Sequence, residues 1–346
     1  MNQIDATTPD SVEQLDDLLS TPNEYVVRAM SELDGDLIIL GVGGKMGPTL
    51  ARMAKRASDE AGVKRRVLGV SRFSSPATRE QLEACGVETV ACDLLDQAAL
   101  KELPDAPNVV CMTGLKFGAS ADPSLTWAMN CYLPALISQR YRHSRIAAFS
   151  SGNVYGTVDV GSGGSVETDS LNPIGEYAIT VLGRERMFDY FSRELNVSTA
   201  LLRLNYATEL RYGVLVDLAQ QVDAEQPIDL SMSYANVIWQ SEANAMALVS
   251  LLHTAAPARV FNIAGSEILR VRDVCEQFSK LMTKRVQFVG EESPHAMLNN
   301  ATASYADLGN PTMTSEQMIR WTADWVARGG ESLGKPTHFE SRDGRF

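Results

Sequence analysis

Residues 41–47 read Gly-Val-Gly-Gly-Lys-Met-Gly. They follow the apolar run DLIIL and precede a helical pattern with Pro48 near its start. Each glycine has a physical use there. Gly41 permits a tight turn, Gly44 lets a pyrophosphate approach the backbone, and Gly47 lets helix and strand pack closely. The helix start then offers free N–H groups and a positive dipole end to phosphate. Lys45 and Met46 lie on the same loop. Between an apolar strand and a helix, this pattern signals a dinucleotide site; a glycine turn without a ligand is the alternative. The second apolar run ends in Gly69-Val70-Ser71-Arg72. A carboxylate at its tip would accept hydrogen bonds from an adenosine ribose. The hydroxyl of Ser71 and the guanidinium of Arg72 instead suit a 2′-phosphate, which favours NADP slightly over NAD. Arg72 as a solvated loop residue, or stacked on adenine, is the competing reading. Asp93 and Leu94, in VACDLLD after the third run, are placed to meet the adenine. Asp93 alternatively caps a helix beginning at Leu94.

These positions need a scaffold, and the hydrophobic pattern supplies one. Strands are expected at Asp36–Leu40, Arg66–Val70, Thr89–Ala91, Val109–Met112, Ile146–Ser150, Thr199–Leu204 and Arg259–Ile263. All are short and apolar on both faces, as in a covered parallel sheet. Helical stretches alternate with them, among them Pro48–Ala61, Leu125–Tyr141, Glu176–Leu195, Gln240–His253, Val271–Met282 and Ser315–Arg328. The fold class is α/β, a Rossmann-type doubly wound parallel sheet with a smaller C-terminal substrate-binding portion. Residues 1–34 form a helical extension, 35–205 the dinucleotide-binding domain, and 206–346 mainly the substrate portion, with 234–265 returning to the sheet. The extension suggests two short helices on the domain edge, and residues 334–346 have no periodicity.

Composition excludes several classes. The chain has 346 residues and a formal net charge of -12, which disfavours nucleic acid and anionic membrane as partners. Five scattered cysteines and four isolated histidines give neither a disulfide framework nor a metal-ligand pair. No metal is expected. The polar N-terminus is no signal peptide and no run is long enough to span a membrane, so a cytoplasmic location is expected.

The succession GVGGKMG, VSRFSS, ACDLLD, CMTGLKFG, Asn130, FSSGNVYG, Tyr177 and RLN resembles, in order and spacing, extended short-chain dehydrogenase/reductases of the NAD-dependent epimerase/dehydratase family. The resemblance covers roughly residues 36–330. It implies that Thr113, Gly114 and Lys116 run along the cofactor, with Asn130 and Asn205 also in its site. It implies Asn153, Tyr206 and again Lys116 on the substrate side. It makes Ser151 the residue that orients the substrate oxygen. Tyr177 becomes the acid/base and a contact of the cofactor. It also implies a homodimer, formed by the helices 125–141 and 176–195, with Leu133, Leu136, Ile137, Leu182, Phe188 and Phe191 offering apolar surface.

Two departures shape the expectation. The family's lysine four residues after the tyrosine is Val181 here. Its charge must then come from elsewhere, Lys116 and Lys45 being the candidates by motif and Arg184, two turns away, a poor one. The arginine that grips the diphosphate in nucleotide-sugar enzymes is replaced by Met232. A thioether cannot neutralise phosphate. The resemblance with these departures implies an NAD(P)-dependent oxidoreductase, epimerase or dehydratase acting on a sugar or sugar acid rather than a nucleotide sugar. A dinucleotide-binding but inactive redox-sensing or scaffold protein is the alternative.

Overall fold

The computed structural model describes residues 7–116, 121–342 and 344. Seven strands form one sheet: β1 (Leu37–Leu40), β2 (Val67–Ser71), β3 (Glu88–Ala91), β4 (Asn108–Cys111), β5 (Arg145–Ser151), β6 (Thr199–Leu204) and β7 (Arg259–Ile263). Every pairing is parallel, in the order β7-β6-β5-β4-β1-β2-β3. The strands fall where the apolar runs predict them. Leu37 and Ile39 enter the core on one face, and Ile38 and Leu40 the core on the other. Both faces are covered, so β1 is apolar throughout. The chain order reverses between β1 and β4, which opens a crevice at their C-terminal ends.

Ten helices matter here. They are α1 (Val12–Leu19), α2 (Glu24–Glu32), α3 (Gly47–Glu60), α4 (Pro76–Ala84), α5, α6 (Gly175–Leu195), α7 (Val214–Asp223), α8 (Gln240–Val249), α9 (Val271–Met282) and α10 (Ser315–Ala327). Helix α5 is composite: Pro123–Trp127, a π-helical turn Ala128–Tyr132, then Leu133–Arg140. Pro134 lacks the N–H that would bond the carbonyl of Asn130, so the ladder shifts register there.

The N-terminal helices do not form a separate unit. Val26, Ala29, Met30 and Leu33 join the core of the sheet domain, next to residues of α3 and α8. Leu15 and Leu19 of α1 instead join the core of the smaller lobe, built from α7, α9 and α10. Helix α1 thus bridges the lobes. Arg52 and Arg56 of α3 grip Asp17, while Arg211 and Arg328 of the smaller lobe grip Asp16 and Asp10. Leu133, Ile137 and Phe188, expected as interface surface, are fully buried in the chain's own core. Leu125, Trp127, Tyr132, Ile179, Tyr190 and Leu195 are the large apolar side chains these two helices expose. Among the described residues no helix is long and apolar enough to cross a membrane.

Candidate active site

The turn after β1 is fixed by its glycines. Gly41 has φ +87°, and a Cβ there would lie 3.0 Å from the Thr113 backbone nitrogen. A Cβ on Gly47 would lie 2.1 Å from the Val42 carbonyl oxygen. At Gly44 a Cβ would meet only the Gly41 carbonyl oxygen, at 3.5 Å, so its outer side is open. Helix α3 starts without a side-chain cap. Its first N–H groups therefore remain available to an anion.

This turn heads a cleft of about 1070 Å³ between the lobes. Of the residues singled out from sequence, Gly41, Gly44, Lys45, Met46, Gly47, Thr113, Gly114, Lys116, Ser151, Asn153, Tyr177 and Tyr206 line it. Six others do not. The Ser71 hydroxyl sits behind the turn, 2.5 Å from where a Cβ on Gly43 would be. Arg72 is exposed at the end of β2. Asp93 is exposed and its carboxylate accepts from the Leu95 N–H; the following helix, Gln97–Lys101, is capped by Asp96 instead. Leu94 is buried in the core. Asn205 is buried, and its amide donates to Asn236 rather than into the cleft.

Asn130 sits behind the cleft wall. Its side-chain oxygen accepts from the Leu115 N–H and from Arg184, and its amide donates to the Leu115 carbonyl and the Thr180 hydroxyl. The π-turn thereby holds the 113–116 segment against α6.

At the inner end, the Tyr177 phenol of α6 lies beside Ser151 at the end of β5. Ser151 also donates to the Asn153 side-chain oxygen at 3.0 Å. A buried network holds the end of β5. Ser150 donates to Glu185, Glu185 pairs with Arg203 at 2.8 Å, and Arg203 donates to the Tyr155 hydroxyl. Burial raises the Tyr177 pKa; the charge of Arg184 and the nearby Ser151 hydroxyl pull it back.

Arg184 reaches closer to Tyr177 than the spacing suggests. Two turns is a long way, but helical side chains lean toward the N-terminus and arginine is long. Val181, between the two, is buried and lines no part of the cleft. Arg184 does line it. It donates to the Phe149 carbonyl at 2.9 Å and to Asn130, and its buried Nε has no partner among the described residues. A Cβ on Gly114 would come within 2.2 Å of this guanidinium, so only glycine lets the 113–116 segment pass over it.

Two lysines stand further out. The Lys116 Nζ lies 5.9 Å from the centre of the Tyr177 ring and donates to the Thr337 carbonyl at 3.5 Å. Its pKa is lowered by burial to about 8. The Lys45 Nζ sits 3.2 Å from the centre of the Tyr212 ring. Burial, then repulsion from Lys116 and Lys335, lowers its pKa to about 7.

Sequence reasoning missed whole stretches of the wall. Val12, Glu13 and Asp16 of α1 line one rim, and Glu331, Leu333, Lys335 and Thr337 of the tail line another. Thr78 and Gln81 of α4 complete the end near β2. No local pattern marks these residues, since neither segment carries a motif.

A seven-stranded parallel sheet with a glycine turn at its switch point defines a class: the Rossmann-type doubly wound α/β fold. Comparison with known proteins agrees. Residues 37–207 match the model of the NAD dependent epimerase/dehydratase family. No curated protein matches by sequence. Among solved structures, UDP-glucuronic acid 4-epimerase from Bacillus cereus is 14% identical with a TM-score of 0.70, covering 85% of this chain and 99% of its own. The dTDP-glucose 4,6-dehydratase of Bacillus anthracis is 13% identical with a TM-score of 0.70, covering 86% and 97%. UDP-glucose 4-epimerase from Thermotoga maritima is 15% identical with a TM-score of 0.68, covering 85% and 99%. At such identities the likeness is one of fold. About 15% of this chain has no counterpart in those structures.

Proposed function

We propose that this chain is an NAD(P)-dependent enzyme acting on a hydroxyl or carbonyl carbon of a carbohydrate-like molecule, a free sugar or sugar acid. The observation that carries this reading is that Ser151 and Tyr177 stand side by side at the inner end of a cleft headed by the glycine turn. The chain's residues fit a dinucleotide. The open side of Gly44 and the uncapped start of α3 suit its pyrophosphate, and the unpartnered Arg184 Nε–H suits a ribose hydroxyl. Such a cofactor, when bound, supplies a hydride acceptor or donor. The absence of a carboxylate at Ser71-Arg72 favours the phosphorylated form.

The remaining chemistry belongs to the side chains. Ser151 and Tyr177 hold the substrate oxygen by donating to it, and Tyr177 takes or returns that oxygen's proton. Arg184 supplies the positive charge that favours the phenolate, the part played by the lysine for which Val181 stands. This supports turnover over an inactive scaffold, whose main support was the missing lysine. A nucleotide sugar is disfavoured because Met232 is buried, 1% exposed, and offers no charge. The exposed Trp127, Tyr132, Ile179 and Tyr190 support a twofold dimer through α5 and α6.

The test pairs three variants with calorimetry and a screen of sugars and sugar acids. Tyr177→Phe should retain cofactor affinity and lose most turnover, on the order of 10²-fold or more. In the oxidising direction activity should rise with pH as the phenol ionises. Arg184→Met should move that rise to higher pH, and Arg184→Lys should move it partly back. Full activity in Tyr177→Phe, or an unchanged pH profile in Arg184→Met, would refute the mechanism.

A further inference from the structure

We propose that the C-terminal tail completes a site for an anionic group of the substrate, a carboxylate or phosphate, held by Lys335 and Lys45 with the Tyr206 hydroxyl. This rests on reading the cleft as that of a dinucleotide-dependent enzyme. The tail is built into the wall. Leu333 N–H donates to the Arg211 carbonyl at 3.1 Å, and Trp325 donates to the Glu331 carbonyl at 2.9 Å. Phe339 is 3% exposed in the core of the smaller lobe. This anchoring places the exposed Lys335 on the cleft rim, within reach of the charge of Lys45, and Lys335 makes no hydrogen bond or ion pair with any described residue.

The two most buried neighbouring acids are already engaged. Asp217 accepts both the N–H and the hydroxyl of Thr337, at 2.8 and 2.5 Å. Glu209 pairs with Arg211, which also holds Asp16. Glu340 faces Lys116 and Tyr206, with His338 Nδ1 3.6 Å away. Glu13 and Glu331 are exposed at the rim. Lys45 leaves the cofactor turn and reaches across to Tyr212, where Lys116 and Lys335 both repel it. A chain of net charge -12 has nonetheless gathered three ammonium groups in one cleft. An anion between them relieves that repulsion.

Tyr206 independently indicates a ligand. Its hydroxyl is buried, lines the cleft and has no hydrogen-bond partner among the described residues. Its backbone is held at φ +42°, in the left-handed region. A buried donor without an acceptor is costly unless a ligand supplies one. A carboxylate or phosphate oxygen would accept from Tyr206 while the two ammonium groups neutralise its charge.

The cofactor's own phosphates are the rival anion, so the test separates them. Calorimetry on the full chain first measures NAD+ affinity in wild type, Lys335→Gln, Lys335→Arg and Tyr206→Phe. The NAD+-loaded proteins are then titrated with D-glucuronate, glucose 6-phosphate and uncharged D-glucose. We expect NAD+ affinity within about twofold across the set. At least one of the two acids should bind wild type about tenfold more tightly than glucose. Lys335→Gln and Tyr206→Phe should remove most of that advantage, and Lys335→Arg should keep it. The acid that shows the preference distinguishes carboxylate from phosphate. NAD+ binding with no preference for either acid overturns the anion site. So does a preference that Lys335→Gln leaves intact, or a tenfold loss of NAD+ affinity in that variant. A wild-type chain that binds neither NAD+ nor NADP+ instead overturns the underlying functional reading.

Discussion

Gly44 and Gly47 lie three residues apart on one turn, yet their replacement by alanine should fail in opposite ways. Gly47 faces inward. A Cβ there would sit 2.1, 2.6 and 2.8 Å from the Val42 carbonyl oxygen, carbonyl carbon and Cα. All three are backbone atoms, so no rotamer relieves the overlap and α3 must move away from β1. Overpacking of this kind costs about 1–3 kcal/mol. Gly44 faces the cleft. Its φ is not in the left-handed region, and the Cβ would meet one atom at an ordinary 3.5 Å. Gly44→Ala should therefore leave the folded chain unchanged or stabilise it by about 0.4–1 kcal/mol through the unfolded state. Its methyl nevertheless occupies the side where a pyrophosphate would lie, and cofactor affinity should fall about tenfold or more, equivalent to roughly 1.4 kcal/mol. Urea unfolding of the unliganded variants and calorimetry with NAD+ and NADP+ separate the two effects. Gly47→Ala should unfold earlier, and Gly44→Ala should bind weakly while unfolding no earlier than wild type. Wild-type cofactor affinity in Gly44→Ala would show that the turn does not receive the dinucleotide. A large stability loss in that variant would show that the open side has been misread.

Three further outcomes are expected. Arg72→Ala should weaken NADP+ much more than NAD+ in calorimetry, and equal effects would remove the case for a 2′-phosphate contact. Trp127→Glu and Tyr190→Glu, at the exposed face of α5 and α6, should yield monomers in light scattering where wild type is dimeric; a monomeric wild type at micromolar concentration defeats the dimer. Lys45 predicts a pH dependence of stability. Its folded pKa of about 7 lies below the ordinary 10.5, so across that window the unfolded chain binds more protons. The stability of the unliganded protein should therefore rise with pH from about 7, and Lys116, at about 8, adds to the rise from there. In Lys45→Met the rise should be smaller and begin near 8; an unchanged urea midpoint profile between pH 6 and 9 would contradict the buried ammonium.

The sequence by itself determined the sheet, the glycine turn and the serine–tyrosine pair. The sheet strands and the turn are local features. Strands such as Leu37–Leu40 are apolar on both faces, and Gly41, Gly44 and Gly47 stand in the turn that needs them. The Ser151–Tyr177 pair was legible only through a family spacing, because no local rule joins residues that far apart. Tertiary structure decided the rest. The burial of Leu133, Ile137 and Phe188 in the chain's own core depends on how α5 and α6 pack on the sheet. The reach of Arg184 past Val181 depends on Gly114 leaving room for a guanidinium. The cleft walls from α1 and the tail depend on contacts such as Asp16–Arg211 and Thr337–Asp217, which join residues 195 and 120 positions apart. Periodicity records which face of an element is apolar, but not which distant segment covers it. That choice is made when the lobes pack, and it is why the charge beside Tyr177 and the lysines of the outer cleft emerge only in the folded chain.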